Sequence, residues 1–458
     1  MPAPNRVPIS VPDQSAAAGQ RQLQRILGMR DLVLLIIGTV IGSGIFLVPG
    51  AVLKSVGNSL PLAFAVWTVG GVLSLLGALT YGELTAMKPE AGGLYVYIRD
   101  CFGPLMGFLF GWTFFFVIST GAVATLTVAF SRYFQEFVPL TKWQAKLVSI
   151  VVIAIIAAVN VRGTRHSANL QNVTTAIKVL ALLAMGTALL WFGKVSHVLV
   201  SSPSTLQTWG SLLSGLGLAM VSVLWAFEGW QYCTFSAGET LNPQRNFPLA
   251  FLYATLALIG IYLYANLGYV AALGTTGVAN SDRVAATALA TISPAAAKLV
   301  TIAILISMFS AANAVTLTAP RVYYAMAKDG LFFKRLAHVH PRFGTPAFAV
   351  ITGAFWASLL AASGTFEQLL TYVVFVSWSF YALAAACVFV YRKRQPDAPR
   401  PYRVPGYPWT PALFVLVVTA FVANTIVDQP VRAAVGLGIV AAGIPAYLIW
   451  RKGEMPWQ

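Results

Sequence analysis

Apolar runs of about twenty residues recur along the whole chain, separated by short polar stretches. An α-helix rises 1.5 Å per residue, so about twenty residues cross a hydrocarbon core of roughly 30 Å. Runs of this kind lie near 31–54, 60–87, 103–133, 143–161, 169–192, 209–238, 246–273, 296–327, 346–363, 368–391, 411–428 and 432–450. The pattern predicts an all-α polytopic membrane protein with about twelve spanning helices. The first 30 residues are polar and carry Arg6, Arg21, Arg25 and Arg30. They contain no short apolar core with a cleavage site, so no signal peptide is expected.

Two of the runs are interrupted. The first reads IIGTVIGSGIF over 36–46, with Gly42-Ser43-Gly44 inside it. A lipid-embedded helix must satisfy its own backbone, and a Gly-Ser-Gly run frees N–H and C=O groups where the helix weakens. The second interruption is Trp225-Ala226-Phe227-Glu228-Gly229-Trp230, which places a carboxylate and a glycine inside the sixth run. Paired breaks at corresponding places in two halves are the best sequence pointer to a midplane substrate site. Gly38 and Gly42 also form a small-xxx-small pair, which by itself is compatible with simple helix packing.

Ionisable residues inside a span are costly and are functional candidates by default. Glu228 lies midway along the sixth run and Lys178 midway along the fifth. Lys178 is some ten residues from either end of its run, roughly 15 Å by helix rise, which is long for snorkelling. Glu228 admits two readings: it caps freed N–H groups at the break, or it meets the substrate. Trp225, Phe227 and Trp378 gain interest because they flank this region; aromatics in spans are more often packing or interface anchors.

Composition agrees with the pattern. The chain is 58% hydrophobic and 10% charged, with a mean hydropathy of +0.74. Its net charge of +16 suggests nucleic acid only until the charges are placed. With the N-terminus inside, most of the lysines and arginines fall in cytoplasmic segments, Arg392, Lys393, Arg394, Arg400 and Arg403 among them. This is the positive-inside rule, with both termini cytoplasmic. The excess therefore reports orientation and membrane-lipid contact, and no nucleic-acid partner is expected. Cys101, Cys233 and Cys387 fall in spans or near the cytoplasmic face, where no disulfide is expected. No histidine cluster sits at membrane depth, which argues against a metal-dependent membrane enzyme. No cofactor and no enzymatic activity are expected.

At this point the residues match a known family. GTVIGSGIF resembles the glycine-rich break of the amino acid–polyamine–organocation (APC) superfamily transporters. WAFEGWQYCTFSAGETLNPQRNFP is similar to their sixth span and the loop after it, and APRVYYAMAKDGLFF to the end of their eighth. YRKRQPDAPRPYRVPGYPW resembles the loop after the tenth span in bacterial L-type amino acid transporter-like exchangers. The resemblance implies a LeuT-like five-plus-five inverted repeat with broken helices 1 and 6. It divides the chain into a cytoplasmic tail (1–30), a first repeat (31–195), a second repeat (209–391), two further spans (411–450) and a tail (451–458).

The resemblance also implies an amino acid held at the two breaks. The N–H groups of Ser43 and Gly44 open a half-helix, and a helix N-terminus favours a carboxylate. The carbonyls of Val40, Ile41, Trp225 and Phe227 would end the preceding half-helices, where an ammonium is favoured. Gly42 lies between them. Trp225 falls on the family's gate aromatic and Trp378 on a pocket aromatic of the L-type branch. Lys178 falls on a lysine that takes a sodium ion's place in sodium-independent members. Two departures stand out. The segment 134–142 lacks the cysteine that joins animal L-type transporters to an accessory glycoprotein, so no such partner is expected. Glu228 stands where those transporters have glycine.

The expected function is sodium-independent exchange of small or medium neutral L-amino acids by alternating access in a bacterial inner membrane. A proton-coupled symporter or a carrier of cationic amino acids or polyamines is the alternative that uses Glu228. An amino acid sensor without transport is a third reading, which a long signalling domain would favour.

Overall fold

The computed structural model describes residues 23–194, 208–363, 366–428 and 430–452. The expected tails therefore lie outside the described residues up to 22 and from 453. In chain order the helices are α1 (Met29–Val40), α2 (Gly44–Ser55), α3 (Leu60–Met87), α4 (Leu94–Phe102), α5 (Pro104–Thr113), α6 (Ser119–Phe134), α7 (Lys142–Val161) and α8 (Thr164–Phe192). Then follow α9 (Trp209–Ala226), α10 (Pro243–Ala279), α11 (Val284–Ala290), α12 (Pro294–Thr318), α13 (Pro320–Lys328), α14 (Ala347–Ser363), α15 (Phe366–Arg394), α16 (Trp409–Asp428) and α17 (Pro430–Lys452).

Among the described residues, eight helices are long and apolar enough to cross a membrane, or nine with α1 and α2 taken as one bent span. Helices α14, α15 and α16 are apolar segments at the remaining places the sequence pattern marks. Together they make twelve segments of a multi-pass membrane protein. A π-helical turn at Phe114–Ile118 joins α5 to α6. There the hydroxyls of Ser119 and Thr120 reach back to the carbonyls of Phe114 and Phe115, both at 2.6 Å. Such back-bonding competes with the regular ladder and settles the wider turn locally.

The end of the bundle near the N-terminal segment is closed by polar contacts. Glu239 and Arg321 are each 1% exposed and form an ion pair, Arg321 Nε donating to Glu239 Oε2 at 2.6 Å. Thr164 donates to Glu239 Oε1 at 2.9 Å and accepts from Arg321 Nη2 at 2.8 Å. The backbone of the same glutamate accepts from the N–H groups of Ile26 and Leu27 at 2.8 and 2.9 Å. One turn away, Asp31 of α1 accepts from Arg165 at 2.8 Å and from Asn172 at 2.6 Å, both on α8. A third buried carboxylate, Glu83 of α3, takes both arms of Arg392 at 2.9 and 2.7 Å and the N–H of Val404 at 2.7 Å. That cluster folds the basic loop after α15 back onto α3.

A buried pair is costly to half-remove, because the remaining charge keeps its burial and loses its partner. Glu239→Ala is expected to lower stability by about 3–5 kcal/mol. The check is thermal unfolding of the purified protein in detergent, in which Glu239→Gln should fall between Glu239→Ala and the native protein. Equal melting of all three would contradict the assignment.

Candidate functional site

The first break lies where the sequence places it. Helices α1 and α2 meet at 49° across Ile41–Ser43. The carbonyls released by the bend are taken up by side chains of three other helices. Lys178 of α8, 1% exposed, donates from Nζ to Gly38 O at 2.6 Å and to Ile41 O at 2.7 Å. Ser307 of α12 lies 2.8 Å from Ile41 O and 3.0 Å from Gly42 O. Tyr262 of α10 reaches both breaks, 3.1 Å from Val40 O and 2.9 Å from Ala226 O. Sequence reasoning missed Ser307 and Tyr262; a serine and a tyrosine in apolar spans give no signal beyond their hydroxyls.

At the second break α9 ends at Ala226, and Phe227–Gly229 form a turn. Gly229 has φ +126°, where side chains are strained, and a Cβ there would sit 3.0 Å from the Thr39 backbone. The chain then continues as a tighter 3₁₀ segment, Trp230–Glu239, instead of a second α half-helix. The Gly229 N–H is held by Gln231 Oε1 at 3.2 Å. Among the described residues, Glu228 takes its hydrogen bonds from side chains of α15. Its Oε1 accepts from Tyr381 OH at 3.1 Å and Ser377 Oγ at 3.4 Å on α15. Its Oε2 is buried with no hydrogen-bond partner among the described residues.

Between the breaks lies a cavity of about 50 Å³. Six of the residues singled out from sequence line it: Val40, Gly42, Ser43, Gly44, Trp225 and Glu228. Thr39, Gly229 and Tyr232 complete the polar side, and Ala122, Leu126 and Val315 the apolar wall. Ser43 Oγ and Tyr232 OH, like Glu228 Oε2, are buried without a partner.

Three expected residues do not line the cavity. Ile41 is buried and contributes its carbonyl to Lys178 and Ser307. Phe227 turns into the core against Tyr262 and Trp67, with ring centroids 4.9 and 6.0 Å apart. Trp378 packs against Phe421 and Tyr381 at 5.7 and 5.8 Å. Both rings stand one residue from a cavity or hydrogen-bonding position: Phe227 in the turn after α9, and Trp378 on α15, where helix rotation carries neighbouring side chains to different faces.

A second cavity, of about 210 Å³, lies further along the same two helices. Leu47 follows Gly44 on α2, and Ala129, Arg132 and Tyr133 follow Leu126 on α6. Its rim carries the Glu136–Arg283 ion pair, and Thr301 donates to Glu136 Oε2 at 3.1 Å.

Two broken spans that face each other around a small cavity with a few polar groups, inside a bundle of apolar helices, are the arrangement of a secondary transporter. The amino acid permease family matches residues 27–448, and the chain belongs to that family. It is 32% identical to the human cystine/glutamate transporter, over 94% of this chain and 87% of that protein. It is 29% identical to the serine/threonine exchanger SteT of Bacillus subtilis, over 94% of this chain and 98% of SteT. It is 28% identical to the human large neutral amino acids transporter small subunit 2, over 96% and 82%.

The two break glycines carry different constraints. A Cβ on Gly44 would stand 2.8 Å from Ala226 Cα, so the two broken helices touch there. A Cβ on Gly42 would make an ordinary contact, 3.6 Å from Leu126. Gly44→Leu is therefore expected to force the breaks apart and destabilise the protein by about 1–3 kcal/mol or more. Gly42→Ala should melt close to the native temperature while narrowing the cavity. Thermal unfolding and substrate binding on the same preparations check both; a native melting point for Gly44→Leu would contradict the contact.

Proposed function

We infer that the protein exchanges small or medium neutral L-amino acids without sodium, by alternating access. The observation that carries this is the Lys178 ammonium on the carbonyls of Gly38 and Ile41. Unwound carbonyls of this kind serve as cation ligands in sodium-coupled transporters. Here a fixed cation already occupies them, and a mobile one is superfluous. In this reading the substrate carboxylate meets the first N–H groups of α2 at Ser43 and Gly44, where the helix dipole favours an anion. Of the carbonyls expected to meet its ammonium, those of Val40 and Trp225 belong to residues that line the cavity, and Trp225 closes over it; the Ile41 carbonyl is already engaged by Lys178 and Ser307. Phe227 and Trp378 act from behind this layer.

The small volume of the cavity favours a small substrate over a bulky one. The unpartnered Ser43 and Tyr232 hydroxyls suit a polar one. The serine/threonine exchanger among the relatives fits this preference. The repeats 31–195 and 209–391 would rock around the site, in a bacterial inner membrane with both termini cytoplasmic. Residues 134–142 contain no cysteine, which supports a transporter without a disulfide-linked accessory glycoprotein. Glu228 Oε2 favours a second reading, in which a proton or a cationic side chain completes the site.

Counterflow in proteoliposomes tests the first reading. Exchange of labelled serine or alanine should proceed unchanged when sodium is replaced by potassium; a strict sodium requirement overturns it. Lys178→Ala should slow exchange while leaving the order of preferred substrates unchanged. Glu228→Gln separates the two readings. Identical pH profiles and identical preference between alanine and arginine remove the carboxylate from coupling; a shift in either assigns it to the second reading.

A further inference from the structure

Between α13 and α14 the chain forms a groove of about 650 Å³, remote from both breaks. Lys334, Arg335 and His338 line it, with Val339 and Phe348. No acidic side chain does, and the whole segment 331–346 contains no Asp or Glu. Lys334, Arg335 and His338 are exposed, and Arg342 beside them is exposed too. Nearby acids are engaged elsewhere: Asp329 holds Arg99 and accepts from Tyr95 at 2.7 Å.

The groove continues into an apolar stripe. Phe348 belongs to both. From it, Ile351, Phe355 and Leu359 follow at offsets of three, seven and eleven residues, which is one face of a helix. They are exposed by 42, 54, 64 and 45%. The stripe is about 16 Å long by helix rise, close to one leaflet of a roughly 30 Å core. A compact basic station with one leaflet's length of apolar surface rising from it has the shape of a phospholipid.

We propose that this groove binds the headgroup of an anionic phospholipid of the cytoplasmic leaflet, with an acyl chain along Phe348, Ile351, Phe355 and Leu359. The leaflet rests on the orientation proposed above; the binding itself does not. Lys334 and Arg335 supply the charge, Arg in a fork that matches phosphate oxygens. The stripe makes the ligand a lipid and not a free phosphate.

Native mass spectrometry of the detergent-purified protein with phosphatidylglycerol tests this, using phosphatidylcholine as the neutral lipid. Phosphatidylglycerol should be retained in preference to phosphatidylcholine. Lys334→Gln with Arg335→Gln should weaken retention by roughly thirtyfold, about fivefold for each charge removed. Lys334→Arg with Arg335→Lys should retain it, which excludes a general loss of fold. Phe355→Ser should weaken phosphatidylglycerol while leaving the basic station intact. Glycerol phosphate, the same headgroup without chains, should not displace the lipid. Equal retention of the two lipids, no effect of the charge-removing variant, or displacement by glycerol phosphate would each overturn the proposal.

Discussion

A backbone that leaves its helix inside hydrocarbon needs a donor for each carbonyl it frees. In this protein three side chains meet that need at the breaks, from three different spans: Lys178, Tyr262 and Ser307. The ammonium has three protons and serves two carbonyls outright. Each hydroxyl has one proton and two carbonyls within reach. A tyrosine that faces Val40 O and Ala226 O therefore donates to one break at a time. The irregular backbone is anchored by the lysine and left adjustable by the hydroxyls.

The breaks are also in direct contact. Gly44 and Ala226 approach so closely that no Cβ fits between them, and Gly229 rests on Thr39 in the same way. The two interrupted spans thus meet backbone to backbone beside the cavity, and the donors from α8, α10 and α12 tie them to the surrounding bundle. Three of the buried groups without a partner among the described residues, on Ser43, Tyr232 and Glu228, belong to residues that line this shared space.

Much of this is legible in the amino-acid sequence. Glycine inside an apolar run marks a weak helix, so Gly42, Gly44 and Gly229 pointed to both breaks. A charge inside such a run has few reasons to be there, so Lys178 and Glu228 stood out. The hydroxyl donors did not, because serine and tyrosine occur widely in spans without consequence. The orientation of side chains at a break was also hidden. Phe227 lies next to the site in sequence and turns into the core, because the backbone at a turn does not follow helical periodicity, while Trp378 sits on α15 beside Ser377 and packs on Phe421 and Tyr381. The 3₁₀ path after Gly229 was hidden for the same reason. Gly44 was visible as a flexible position, but its role as a contact between two helices distant in sequence is a tertiary fact.

Glu239 joins four pieces of the chain through one residue. Its carbonyl holds the N-terminal segment, its carboxylate holds Arg321 beyond α12 and Thr164 at the start of α8, and its own backbone ends the 3₁₀ segment. If one of these bonds yields alone, a buried charge or a main-chain donor is stranded while the rest stay in place. Half-open arrangements at this end are thereby disfavoured against both the closed and the fully released one. The consequence is that this end is held, or let go, as a unit.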